Sequence, residues 1–455
     1  MQNGRFIRVL RRREVLALAF GAMIGWSWVA LAGVWLRSAG SVGAIVAFLV
    51  GGVVIALIGL TYAELASAMP QVGGEHVYSL RALGPAASFV CTWAIIFGYF
   101  SVVAFEVVAL PTVTEYLLPD LKTGYLWTVA GYDVYLSWIL VGIFGSVVMT
   151  GINVIGIRMA AVAQTAVTVV ILLAGVLVLS GALFNGSAAN MQPIEVDGVT
   201  GLLTVLVMLP FLLVGFDVIP QAAEEIDLPF REICRVLVLS VIMAVAWYAL
   251  IVFGVSLSLD DRALGNASLA TADAAAFTWG GSWAAKLVVL SGIAGILTSW
   301  NAFLVGGSRA IYALAHGGML PRFLGRLHPR FNTPANAIVL IGVLAMFAPL
   351  FGRQTLIWLV DAGGLGIVVA YAMVALSFIV LRHKEPEMPR PYRVSRGKLV
   401  GYAAFILSLG MMSLYMPGSP SALLWPYEWA IFLCGAVLGA VFYLWARITG
   451  GASPR

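Results

Sequence analysis

The chain has 455 residues, 61% of them hydrophobic and only 10% charged, with a mean hydropathy of +0.99. Soluble domains carry roughly 25% charged residues, so the composition excludes an ordinary soluble enzyme and points to a chain held largely within a bilayer. The formal charge of +5 comes from basic residues scattered in short loops between apolar runs, which excludes nucleic acid as a partner.

Twelve apolar segments follow one another, most of them near the ~20 residues that a helix needs to cross a membrane. The first, 15–36, comes directly after Arg11-Arg12-Arg13. Another apolar run starts almost at once, so it reads as a retained first helix and not as a cleaved signal. Inside it lies Gly21-Ala-Met-Ile24-Gly25-Trp26-Ser27-Trp28, a stretch that predicts a break in the helix. The following segments are 40–68, 84–118, 135–154 and 158–184. The third contains an intramembrane acid, Glu106, and the fifth has no lysine, its only charge being Arg158.

The sixth segment, 200–224, carries the second break, Pro210-Phe211-Leu-Leu-Val-Gly215-Phe216-Asp217-Val-Ile-Pro220. The remaining segments are 235–258, 283–314 (with Thr298 and Ser299), 335–351, 355–381, 399–416 and 427–447. Polar connectors are expected at 61–84, 225–235, 317–334 and 382–398. The outer loop 258–282 holds Asn266-Ala-Ser268, a glycosylation sequon in form only. Cys91, Cys234 and Cys434 have no metal-ligand spacing, and the four histidines are scattered, so buried thiols and no metal or cofactor are expected.

Orientation follows from the loops. Counted from an inner N-terminus, alternate loops hold 21 basic residues on one side and five on the other. An excess of Lys and Arg marks the cytoplasmic side, so both termini are expected in the cytoplasm of a cell whose plasma (inner) membrane holds the chain.

An unwound stretch survives in lipid only where it lines a protein-enclosed cavity, and paired breaks in two halves point to a transporter's binding site. Three stretches carry a family resemblance. Tyr62-Ala-Glu64 through Pro70-Gln-Val-Gly73-Gly74-Glu75-His-Val-Tyr78 resembles the loop between helices 2 and 3 of the amino acid–polyamine–organocation (APC) superfamily of transporters. Gly215-Phe-Asp217 through Glu224-Glu225-Ile-Asp-Leu-Pro229-Phe-Arg231 is similar to its sixth helix, and Gly307-Ser-Arg309 through Gly317-Gly-Met-Leu-Pro321 to the end of its eighth.

The resemblance implies the LeuT-type fold, an all-α membrane protein of twelve helices. Residues 1–14 form a cytoplasmic N-terminus, 15–184 a first repeat of helices 1–5, and 200–381 an inverted second repeat of helices 6–10. Helices 1 and 6 are discontinuous, 399–447 supplies two peripheral helices, and 448–455 is a cytoplasmic tail. This fold is itself a standard example of paired broken helices at a midplane site.

The expected substrate contacts are Gly21, Ile24, Gly25, Trp26, Ser27, Phe211, Gly215, Phe216 and Asp217. Freed N–H groups at the first break suit a carboxylate, and the indoles of Trp26 and Trp28 either narrow the pocket, offer a π-face to an ammonium, or face other helices. Asp217 is open to three roles: neutralising a substrate amine, binding a coupling proton, or capping a half-helix. Phe211 either closes over substrate or is ordinary packing. Glu106 is a proton carrier if deeply buried, and a solvated outer-face residue otherwise.

Thr298 and Ser299 offer oxygens to a sodium ion, or simply bond to helix backbone. Glu224, Glu225 and Arg231 read as a solvated loop start with helix-end charges, or else as a gate that pairs with another loop's arginine. The expected function is import of an amino acid by proton symport through alternating access. The alternatives are sodium coupling, obligate exchange, an amine or polyamine substrate, and a non-transporting sensor. No His-rich cluster, phosphate loop or nucleophile motif supports an enzyme.

Overall fold

The structure, a computed structural model, describes residues 10–448, without the side chains of residues 119, 157–163 and 230. The expected termini at 1–9 and 449–455, with Arg5, Arg8 and Arg455, lie outside the described residues, as does the side chain of Arg158.

The first half comprises α1 (Arg12–Ile24), α2 (Ser27–Ala30), α3 (Ala32–Ala68), α4 (Glu75–Leu83) and α5 (Pro85–Leu117). A hairpin of β1 (Tyr125–Val129) and β2 (Tyr132–Tyr135) precedes α6 (Leu136–Ile155) and α7 (Ile157–Asn185). The second half begins with α8 (Gly198–Leu206), α9 (Leu209–Leu212) and α10 (Val218–Gln221), followed by α11 (Phe230–Ser258). The loop helices α12 (Asp261–Asn266) and α13 (Ala270–Trp279) lead into α14 (Ser282–His316) and α15 (Ala335–Ala345). Finally come α16 (Thr355–Lys384), α17 (Gly397–Leu414) and α18 (Tyr427–Ile448).

Nine helices among the described residues are long and apolar enough to cross a membrane: α3, α5, α6, α7, α11, α14, α16, α17 and α18. Their outward faces are apolar, with Val53, Phe144, Leu173, Phe184 and Ile406 all well exposed. A soluble surface seldom presents such large contiguous apolar area, and lipid is the solvent that this sheath fits. The chain is an integral membrane protein. At its centre α5, α14 and α16 are the most enclosed, and α18 is almost entirely peripheral.

Several expectations are corrected. The all-α expectation misses the β1–β2 hairpin, where Gly131 with its φ of +82° helps the chain to reverse. The stretch 61–84 is not a polar loop: α3 runs to Ala68, α4 follows, and Glu64 and Glu75 are both buried. Glu64 is a hub for the Pro- and Arg-rich loop. It receives Arg382 Nε at 3.0 Å, the Val394 N–H at 2.7 Å and Arg390 Nε at 3.1 Å.

The first two expected segments form one continuous path with a sharp turn at Gly40. Its φ of +75° suits glycine, and a side chain there would strike the backbone of Ile194 and Glu195. That turn is knitted to the loop before α8: Ser41 N–H donates to Pro193 O, Val42 N–H to Ile194 O, and Val196 N–H to Ala39 O, at 3.2, 2.9 and 3.1 Å. At the opposite end of the bundle, Leu10 N–H donates to Glu225 O at 3.0 Å and Asp227 N–H to Leu10 O at 2.9 Å.

Candidate functional site

Both predicted breaks exist. α1 stops at Ile24, and Gly25 adopts φ +44°, ψ −142°, a conformation that leaves the helical path and favours glycine. The chain re-enters helix at Ser27 and continues through Leu31, whose N–H bonds to Ser27 O, into α3. In the second half, α9 ends at Leu212 and α10 begins at Val218, with Gly215 at φ +135° between them.

The carbonyls freed by the first break have partners drawn from distant helices. Tyr248 of α11 donates its hydroxyl toward Met23 O at 2.7 Å and Ile24 O at 3.2 Å, and lies 2.7 Å from Ser27 Oγ. Thr298 of α14 donates toward Gly21 O at 3.2 Å and Gly295 O at 2.9 Å. Two glycines of α14 make room: a side chain on Gly295 would strike Gly25 O, and one on Gly292 would strike the Trp26 ring. One turn further, Gln164 of α7 reaches Ala17 O at 3.4 Å and Thr298 O at 3.2 Å, and accepts from Asn301 at 3.2 Å. It bridges α1, α7 and α14 where the sequence offered no lysine.

A small cavity of about 10 Å³ lies at the break, lined by Gly25, Trp26, Ser27, Glu106, Phe211 and Ser299 among others. Glu106 is fully enclosed, not shallow. Its Oε1 lies close to Gly25, Ser299 approaches the carboxyl, and Oε2 has no hydrogen-bond partner. Phe211 closes one wall, packed edge-on to Phe105 with centroids 5.6 Å apart. Ligand pockets usually begin at roughly 300 Å³, so this one is closed and its walls must part to admit any solute.

The other expected residues lie elsewhere. Trp28 turns away from the cavity and packs edge-on against Trp247 at 5.3 Å. Gly21, Ile24, Thr298, Gly215 and Phe216 are buried around the breaks but outside the lining. Asp217 is fully buried outside it too. Its Oδ1 accepts the Gly215 N–H at 2.8 Å, so it ties down the unwound stretch and makes no side-chain cap to α10.

Asp217 instead belongs to a second polar group that the sequence reading missed. The hydroxyls of Tyr99 and Tyr371 face its carboxyl, and that of Tyr62 faces Glu75. None closes a direct hydrogen bond: these three hydroxyls, Asp217 Oδ2, Glu75 Oε1 and Gln221 Oε1 are buried without partners. Gln221 Nε2 donates to the other oxygen of Glu75. Burial, and then the nearby Asp217, holds Glu75 well above the usual carboxylate range.

Glu225 corrects another expectation. It is buried, not solvated, and receives Arg309 Nε at 2.8 Å. Glu224 remains more exposed, accepting the Val72 N–H at 3.3 Å, and Arg231 donates to Pro391 O at 3.1 Å. Among the described residues no group of His, Cys, Asp and Glu is assembled for a metal ion.

The model of the amino acid permease family matches residues 14–449. The chain is 25% identical to the branched-chain amino acid permease BcaP of Bacillus subtilis, over 90% of this chain and 89% of that protein. It is likewise 25% identical to the methylthioribose transporter of the same organism, over 97% and 94%. With that organism's aspartate-proton symporter it shares 24% identity over 90% and 79%.

Proposed function

The chain belongs to the amino acid permease family, and from that premise we propose that it imports an amino acid by proton symport, through alternating access at the cavity between the two broken helices. It is a transporter and not an enzyme, as its family and relatives are. The observation that carries the finer reading is Glu106: a buried carboxyl with one unpartnered oxygen, Oε2, in the wall of a cavity also lined by the unwound stretch Gly25 to Ser27. A substrate with both an ammonium and a carboxylate satisfies both, and an amine alone satisfies only one.

Proton coupling fits the chemistry better than sodium. The Thr298 hydroxyl is engaged with Gly21 O and Gly295 O, and the bridge between α1 and α14 is the neutral amide of Gln164. Two buried acids, Glu106 and Asp217, are available to take a proton.

The twelve-helix LeuT-type arrangement completes the reading. To the nine long helices are added the path α1–α2 up to Ala39, the interrupted α8–α10, and α15 with the turn 348–351. The first five spans and the next five form the inverted repeats. With the excess of basic residues inside, the Leu10 end faces the cytoplasm, so tags at both termini should resist external protease in intact cells.

The test is uptake into proteoliposomes under imposed proton or sodium gradients, preceded by a thermal-shift screen over amino acids and amines, since a ligand of the native state stabilises it by mass action. Accumulation driven by an inward proton gradient supports the proposal. Stimulation by sodium alone, or dependence on internal substrate alone, overturns the coupling.

A further inference from the structure

The symport reading leaves the proton in mid-membrane, and the inference here rests on that reading. We propose that Glu75 is the inner proton acceptor of the transport cycle, taking the proton from Asp217 across tyrosine hydroxyls and releasing it into the cytoplasmic cleft.

The geometry is a column. Asp217 spends Oδ1 on the Gly215 N–H and leaves Oδ2 free, faced by the hydroxyls of Tyr99 and Tyr371. The ring of Tyr371 meets that of Tyr62 edge-on at 5.8 Å, and Phe216 packs on both, at 5.6 and 5.4 Å, sealing the column on its apolar side. Tyr62 faces Glu75, whose Oε1 is free. The next residue, His76, lines an open cleft of about 440 Å³ together with Gln71, Arg81 and His316. Its ring is fixed by Ser88 at 3.0 Å, and burial pushes it down to about 4, so it stands neutral at the mouth.

Among the described residues no cation faces Glu75. The titratable groups around it are Tyr62 from α3, Tyr78 from its own helix, Cys91 from α5, and Asp217 near α10, with Tyr99 and Tyr371 beyond. The guanidinium groups at this end are committed, Arg81 to Glu385, Arg309 to Glu225 and both Arg382 and Arg390 to Glu64. A buried carboxyl without a cation favours its neutral form, so once Glu75 has released its proton to the cleft it draws the next one from Asp217.

The step balances. Asp217 gives its proton to the Tyr371 hydroxyl oxygen as that hydroxyl's own proton moves to Tyr62, directly or across a water, and the Tyr62 proton moves to Glu75 Oε1. Both phenols end as they began, Asp217 ends as the carboxylate and Glu75 as the acid. Glu75 then yields the proton to water in the cleft, past His76.

The test uses the full-length protein in liposomes with a trapped pH dye, under an inward proton gradient, with an equimolar mixture of the twenty standard amino acids as substrate. Wild type should acidify the interior only when the mixture is added. Glu75→Gln should cut that proton entry at least tenfold while labelled amino acid exchange persists at half the wild-type rate or more. Tyr62→Phe, which keeps the ring and loses only the hydroxyl, should show the same split in milder form.

Wild-type proton entry in Glu75→Gln overturns the proposal. So does joint loss of exchange and proton entry in a variant that melts as wild type does, since that marks a purely structural role. Should Glu75→Gln not fold, normal proton entry in Tyr62→Phe overturns it instead. A wild type that takes up amino acids with no proton entry overturns the symport reading beneath it, and that is seen before any substitution is made.

Discussion

Arg309 and Glu225 form a two-pronged ion pair almost sealed from solvent, Nε to Oε1 at 2.8 Å and the second nitrogen to Oε2 at 3.3 Å. It joins α14 to the turn after α10, beside the point where Leu10 is bonded to the Glu225 backbone. Removing one partner strands a charge in a low-dielectric site. Arg309→Ala should therefore lower stability by about 3–5 kcal/mol, read as a fall in melting temperature in detergent. The double variant Arg309→Met with Glu225→Leu should recover most of that loss. A single substitution with no effect would mean that the pair is hydrated in solution.

The seat of Trp26 gives a second prediction. Gly292→Ala puts a methyl group into the indole, and overpacking of this kind costs typically 1–3 kcal/mol. Transport should fall, and Trp26→Phe added to Gly292→Ala should restore part of it by shrinking the ring. Strict additivity of the two substitutions would show that the contact is not shared.

Tyr248→Phe removes the hydroxyl that serves Met23 O, Ile24 O and Ser27. Leaving buried polar groups unserved costs about 1–3 kcal/mol. The variant should melt lower and transport more slowly than wild type, whereas Tyr402→Phe, at an exposed ring, should do neither.

The fourth prediction concerns acid. Arg81 holds the Glu385 carboxyl below its ordinary range through bonds of 3.0 and 2.6 Å. A carboxyl lowered in the folded state adds stability above its unfolded pKa and loses it as pH falls through the folded value. Both groups are substantially exposed, so the effect is small and screened by salt. Arg81→Gln should leave stability near pH 7 almost unchanged and flatten the melting-temperature decline below about pH 4.5. A steeper decline in the variant would reverse the sign of this argument.

How much was legible in the sequence follows from how local each signal is. The breaks at Gly25 and Gly215 could be read because glycine and proline act on their own backbone. Glu106 could be found, since an acid in an apolar run stands out, but its depth could not: that is set by Gly25 and Ser299, which meet it only in the folded bundle. Tyr248 and Gln164 looked like ordinary residues of apolar helices. Their roles exist only opposite carbonyls of α1, more than 140 positions away. Glu75 was hidden for a different reason. It sits in a stretch whose polar composition suggests a solvated loop, and the burial comes from α3, α5, α10 and α16 closing around it. Glycines 292 and 295 carried no signal at all without knowing what lies against them.

The stitches at the two ends of the bundle have a mechanical meaning. At one end the turn between the first two spans is sewn to residues 193–196, which lead into α8, and at the other Leu10 is sewn to Glu225 and Asp227, just past α10. The chain entering α1 and the chain leaving α10 are lashed together, as are the far ends of the same two interrupted helices. Swinging one while the other stayed would tear backbone hydrogen bonds at both ends, each worth about 0.5–1.5 kcal/mol. Moving the pair as one lever against α5 and α16 tears none of them, and Gly25 and Gly215 are left as the two joints about which its halves can bend.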